Sequence, residues 1–202
     1  RINSKSGFTL PEALVAMTII GVIAAIIMPI LVHAFQSRIR AHKVEAAKEK
    51  FYQAAQVMTL KGKMGPYYSN TYDFVQNLTK YLKISTICRV GDEPSSLPPL
   101  EDCFGSNYHD ITMADNETYP LADIKTGVDF NLFGNSQNDW STPNIAFVTL
   151  DGTRMLVSYN KKCLSVKPAI YVGETGYSCI SGLVDVDGDK GPNKIGQDAY
   201  LF

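Results

Sequence analysis

The sequence predicts an α+β fold: a long N-terminal α-helix, transmembrane in its first half and amphipathic in its second, packed on a C-terminal antiparallel β-sheet. Three observations predict it. Residues 13–32 form an uncharged, apolar run of twenty, enough to cross the roughly 30 Å hydrocarbon core of a bilayer. Val44, Ala47, Phe51, Ala54, Ala55 and Met58 then recur at three- and four-residue steps, with Lys43, Glu45, Lys48, Glu49 and Lys50 mostly on the other side, the pattern of a helix with one buried face. Late in the chain, two β-rich runs, 144–150 and 153–159, flank Asp151-Gly152, a pair that favours a two-residue hairpin turn.

The apolar run and the amphipathic stretch join into one predicted helix over about 10–60, on the order of 75 Å long at 1.5 Å per residue. Gly21 and Pro29 are its expected points of bend or local melting. Gly62 and Gly65-Pro66 supply its stop. Residues 63–143 are rich in turn-forming clusters and read as a variable, loop-rich head region, with one helix expected over 72–82. Further strands are expected at 169–172 and 178–186, so that 144–202 forms the antiparallel sheet and an acidic C-terminal loop.

Charge and composition narrow the function classes. The 202 residues carry 45% apolar residues and a formal charge of −1. A neutral chain lacks the basic footprint of a nucleic-acid binder, so no nucleic-acid partner is indicated. The neutrality hides a division. Residues 33–63 hold seven cations against two acids, a local +5, whereas 64–160 hold twelve acids against five cations, a local −7. A basic stem carrying an acidic head follows, and this opposition could pack heads against neighbouring stems.

The cysteines, Cys88, Cys103, Cys163 and Cys179, all follow the apolar run, and none forms a Cys-x-x-Cys pair, which favours disulfides over a zinc or redox site. Three connectivities are open; 88–103 and 163–179 close loops of about fifteen residues, each worth on the order of 3 kcal/mol.

The amino terminus carries the sharpest signal. Arg1 and Lys5 lie where the positive-inside rule puts cytoplasmic charge. Gly7-Phe8-Thr9-Leu10-Pro11-Glu12 then places a carboxylate at the very edge of the apolar run, where an ordinary secretory signal has none. A glycine followed by Phe-Thr-Leu-x-Glu and some twenty apolar residues resembles the amino-terminal signature of type IV prepilins and type II secretion pseudopilins. The resemblance covers about fifty residues of stem, and Pro11 is a mild departure that suits a first helical turn. It implies a residual leader over 1–7, a transmembrane and polymerisation helix over 8–32 and an amphipathic continuation over 33–62. It implies cleavage between Gly7 and Phe8 by a prepilin peptidase, methylation of Phe8, and an assembly role for Glu12. The implied partners are the peptidase, like or related pilin subunits in a filament, an inner-membrane assembly machinery, and the membrane before assembly. The implied location is the inner membrane, single-pass with an extracytoplasmic head, then a pilus or pseudopilus.

The physics of Glu12 agrees. A carboxylate inside a bilayer costs roughly 2.5–3.5 kcal/mol at mid-depth, so it wants a partner. In a filament the amine of a neighbour's Phe8 would neutralise it; alone, Glu12 is a helix-start acid favoured by the macrodipole.

Asp185, Asp187, Asp189 and Asp198 make the tail a candidate Ca²⁺ loop, since Ca²⁺ takes six to eight oxygens. The glycine falls at the fourth position, and Gly196 stands where an EF-hand has its glutamate, so the loop is not an EF-hand. Asn77-Leu78-Thr79 and Asn116-Glu117-Thr118 match the glycosylation sequon by pattern only. His33, His42 and His109 lack metal-helix spacing, and no nucleophile elbow, phosphate loop or dinucleotide fingerprint occurs. The reading is therefore a non-enzymatic filament subunit. A membrane-anchored, extracytoplasmic binding module, Ca²⁺-dependent or not, is the alternative, and a tethered enzyme stands third.

Overall fold

A computed structural model of the chain describes residues 9–64, 67–91, 94–106, 110–113, 115–121, 144–160, 179–188 and 191–202. It divides into two compact units, meeting between Ile39 and Arg40. The division falls inside one helix, α1 (Leu10–Leu60), whose bounds are those the sequence predicts. Gly21 and Pro29 do not melt it: the helix assignment runs through both.

Among the described residues of the amino-terminal unit, the large apolar side chains lie open. Leu14, Ile20, Ile26, Ile30 and Phe35 are each more than half exposed. With a peak mean hydropathy of 2.8, α1 is the one described helix long and apolar enough to cross a membrane.

The carboxy-terminal unit buries the rest of α1. Val44, Ala47, Phe51, Ala54, Ala55 and Met58 are all buried, as the helical spacing requires. The helix stops at a Schellman turn: Lys63 N–H donates to Met58 O (2.8 Å), and Gly62 N–H to Thr59 O (2.8 Å), with Gly62 at φ 66°. Next comes α2 (Thr71–Leu78), capped by Asn70, whose side chain accepts from Asp73 N–H (2.8 Å). It is shorter than the 72–82 expected. Tyr81 and Leu82 N–H both close onto Leu78 O, a tightened turn in place of continued helix.

The sheet has the order β1-β4-β5-β6-β7 and is antiparallel throughout, from β1 (Ile84–Arg89), β4 (Ile145–Thr149), β5 (Arg154–Tyr159), β6 (Ile180–Asp185) and β7 (Ala199–Leu201). A short helix, α3 (Leu100–Phe104), and a separate hairpin, β2 (Asp110–Thr112) with β3 (Thr118–Pro120), complete the unit. The β4–β5 hairpin is where the sequence places it, but its connection is three residues long. Thr149 N–H donates to Thr153 O, Gly152 N–H closes onto Thr149 O, and Gly152 sits at φ 83°. A type I turn followed by a left-handed glycine accommodates Asp151-Gly152 as readily as a two-residue loop does.

Alternation along the strands makes two cores. Phe147, Met155, Val157 and Val184 pack with α1 and α2. Ala146, Leu156 and Leu183, one residue out of phase, pack with Phe104, Ile111 and Leu121 of the α3 and hairpin side. The sheet is thus sandwiched between α1 with α2 on one face and α3 with β2–β3 on the other. Cys88–Cys103 ties β1 to α3 on the second face, with Cα atoms 6.0 Å apart across fifteen residues. Cys179 is also disulfide-bonded. Cys163 and the strand expected at 169–172 lie outside the described residues.

The chain's end is clasped. Phe202 lies edge-on to Phe51 (ring centroids 5.0 Å) and Tyr52 (6.1 Å), and Gly182 and Phe202 exchange both backbone hydrogen bonds (2.9 Å each). A Cβ on Gly182 would stand 2.6 Å from the Phe202 ring, so only glycine lets the ring cross β6 there.

Candidate functional site

Two regions carry the residues that the sequence singles out. The first is the start of α1. Gly7 and Phe8 lie outside the described residues; Thr9 and Glu12 do not. The Glu12 carboxylate accepts from Thr9 N–H (3.0 Å) and from the Thr9 hydroxyl (2.7 Å). This is one arm of a capping box, the acid three residues into the helix reaching back to satisfy an orphan donor. The Thr-x-x-Glu spacing announces this arrangement, and the sequence reading did not use it. Glu12 thus has a local partner within its own chain, which any neighbour's amine would have to displace. Beyond it, the side chains described over 13–32 of α1 offer only apolar surface and the Thr18 hydroxyl, which back-bonds to Leu14 O (2.9 Å) and Val15 O (2.8 Å).

The second region is the acidic tail. Asp185 ends β6, fully buried; its Oδ1 accepts from Asp187 N–H and Gly188 N–H (2.9 Å each), and its Oδ2 has no hydrogen-bond partner. Burial pushes the Asp185 carboxyl up to about 6; the two N–H bonds oppose that, and the nearby Asp187 and Asp198 carboxylates add to it. Asp187 Oδ2 stands 2.8 Å from Arg40 Nε. Neither Asp187 oxygen has an aligned donor, so the contact acts through charge rather than as a directed hydrogen bond. Asp198 is committed to backbone: Oδ2 accepts from Asn193 N–H (2.9 Å), Oδ1 from Lys194 N–H (2.8 Å) and Ala199 N–H (3.1 Å). Arg154 supplies a second cation. A Cβ on Gly188 would lie 1.8 Å from its Nη1, so the guanidinium packs against Gly188, while its Nε donates to Cys103 O (2.8 Å).

Asp198 has its oxygens on amides, Asp187 faces a guanidinium, and among the described residues no three acidic, histidine or cysteine side chains converge to hold a metal. Asp189 lies outside the described residues. The aspartates shape a tight turn in which Asp187 faces Arg40.

The comparisons bear on the first region. Residues 2–28 match the family described as the prokaryotic N-terminal methylation motif. The amino-terminal segment is therefore of the type IV pilin and pseudopilin type, the kind that prepilin peptidases process. No curated protein and no solved structure matches the chain.

Proposed function

We propose that the chain is a structural subunit of a type IV pilus or type II secretion filament, cleaved at Gly7–Phe8 by a prepilin peptidase and assembled through α1. The observation that carries this reading is the amino-terminal half of α1. It pairs the methylation motif at 2–28 with a helix whose large apolar side chains, among the described residues, are exposed. Such a surface is stable in lipid, and equally stable against the same surface of other subunits. Moving from one to the other needs no refolding of the head.

In this reading Glu12 rests on Thr9 while the subunit waits in the membrane. It then exchanges those hydrogen bonds for the charged amine of a neighbour's Phe8, a stronger, charge-assisted contact. The head, with its disulfides, faces the extracytoplasmic side, and its surface sets what the filament does.

Mass spectrometry of the mature chain, purified from cells with an active prepilin peptidase, tests the reading. A chain beginning at methylated Phe8 is expected; an intact leader overturns it. Glu12→Ala should still insert and fold, yet yield no filaments that pellet after shearing.

A further inference from the structure

A half-open groove of about 670 Å³ lies between the second half of α1, the turn after α2 and the β4–β5 turn. Ala47 and Ala54 open it: where α1 faces this space it carries only methyl groups, so the volume beside the buried Met155 stays unfilled. Val57 (39% exposed) and Leu150 (67% exposed) stand on its α1 side and its turn side.

The charges around the groove are unequally matched. Lys50 is answered by Asp151, whose Oδ2 stands 2.6 Å from its Nζ and whose Oδ1 accepts from the Thr149 hydroxyl. Glu49 accepts from the Gln53 amide (3.0 Å). Lys80 and Lys83 are exposed on the rim, and Lys61 lies over the Tyr81 ring at 4.9 Å. These four lysines against two carboxylates leave a surplus of positive charge, and it sits at Lys61, Lys80 and Lys83. A space of this size suits a small ligand or a short peptide segment. A bare hydrocarbon tail would strip water from Gln53 and the Lys50–Asp151 pair with nothing to replace it, whereas a peptide brings backbone groups that do.

We propose that the groove binds a short acidic peptide segment of a different protein. One apolar side chain of that segment sits over Ala54 between Val57 and Leu150, and its carboxylates meet Lys80 and Lys83. The apolar anchor supplies affinity, and the charged rim sets which segments are admitted. The chain's own β2–β3 hairpin is acidic but does not present this pattern. Its register sets Asp110 on one face and Glu117 with Tyr119 on the other, and the Tyr119 hydroxyl already donates to Glu117. The inference goes beyond the filament reading and does not require it, because the groove belongs wholly to the head.

The test titrates a fluorescein-labelled synthetic peptide of glutamate and leucine onto the full chain in lipid nanodiscs, read by anisotropy, with empty nanodiscs as the blank. Control peptides carry lysine for every glutamate, or alanine for every leucine. The glutamate–leucine peptide is expected to bind about tenfold more tightly than either control. Lys80→Glu with Lys83→Glu should weaken it about tenfold and turn the preference to the lysine peptide. Leu150→Ser should weaken it about tenfold as well. All three positions are exposed, so an unchanged melting temperature of each variant separates lost contact from lost fold. Equal binding of the three peptides, or binding indifferent to the charge reversal or to Leu150→Ser, overturns the proposal. Displacement of the probe by dodecanoate or by added unlabelled chain, but not by unlabelled peptide, also overturns it and assigns the groove to an acyl chain or to a second copy. No filament enters this measurement, so its failure leaves the filament reading standing, and an intact leader on the mature chain leaves this one standing.

Discussion

The two halves of α1 are covalently one helix and physically two materials. Over 44–58 the apolar positions fall at helical spacing and are buried against the sheet; over 10–32 apolar residues occupy nearly every position and are exposed. One half contributes to the stability of its own head. The other contributes nothing to it and is stable only in contact with lipid or another helix. Hydrophobicity alone does not distinguish these fates; periodicity does, because a stripe can be satisfied by one sheet and an all-round surface cannot.

The sharpest way to break that contrast is a matched pair of truncations. Phe51→Ala should cost the head about 3–5 kcal/mol, read as a fall in denaturation midpoint, because it opens a cavity beside Phe202 and Tyr52. Ile26→Ala should leave the same midpoint within about 0.5 kcal/mol, its effect reserved for assembly. A comparable loss from Ile26→Ala would mean that the halves are not independent.

Next in size is the Cys88–Cys103 bridge. Replacing both by alanine should cost on the order of 3 kcal/mol through the fifteen-residue loop it closes, measured by thermal unfolding with and without reductant.

The buried tail gives a smaller, pH-dependent effect. Burial raises Asp185 to about 6 in the folded head, above its value in the unfolded chain, so folding favours the protonated form. Stability is lost as pH rises through about 6 and recovered as pH falls toward 4. Asp185→Asn should therefore be more stable than the parent at pH 7, by on the order of 2 kcal/mol, with the gain vanishing near pH 4. Urea titrations at the two pH values decide it; a variant less stable at pH 7 refutes the account.

The smallest effect belongs to Lys50–Asp151, at 2.6 Å but with both side chains about half exposed. Burial pushes the Asp151 carboxyl up, and bonds from Lys50, Thr149 and Thr153 outweigh that and hold it well below the usual carboxylate range. Its contribution is present above about pH 4 and lost as pH falls further. Exposure screens it, so Lys50→Ala should cost less than about 1 kcal/mol, and less still in high salt.

What was legible in the sequence follows the same division between local and non-local causes. The bounds of α1 came from an uncharged run and a periodic stripe, both local signals. The β4–β5 hairpin came from β-branched runs around Asp151-Gly152, again local, although the loop closes one residue wider than expected. Ile84–Arg89 falls inside the loop-rich region because Ile-Ser-Thr-Ile-Cys-Arg does not alternate apolar with polar, and its pairing to β4 shifts register between Ile84 and Thr86. Three-residue β7 exists only because β6 lies beside it, and α3 and β2–β3 owe their places to the second core. At the site, the charge of Glu12 at the edge of an apolar run marks it in the sequence, and the Thr-x-x-Glu capping spacing marks its Thr9 partner. Nothing in the sequence announces that Arg40, far upstream, reaches Asp187.

The clasp at the chain's end has a mechanical side. Phe202 joins α1 through Phe51 and Tyr52, Lys48 donates to Leu201 O (2.6 Å), and Phe202 is stitched to Gly182 by two backbone bonds. Tension drawn along α1 therefore enters the head beside its last residues and is passed sideways into the inner strand β6.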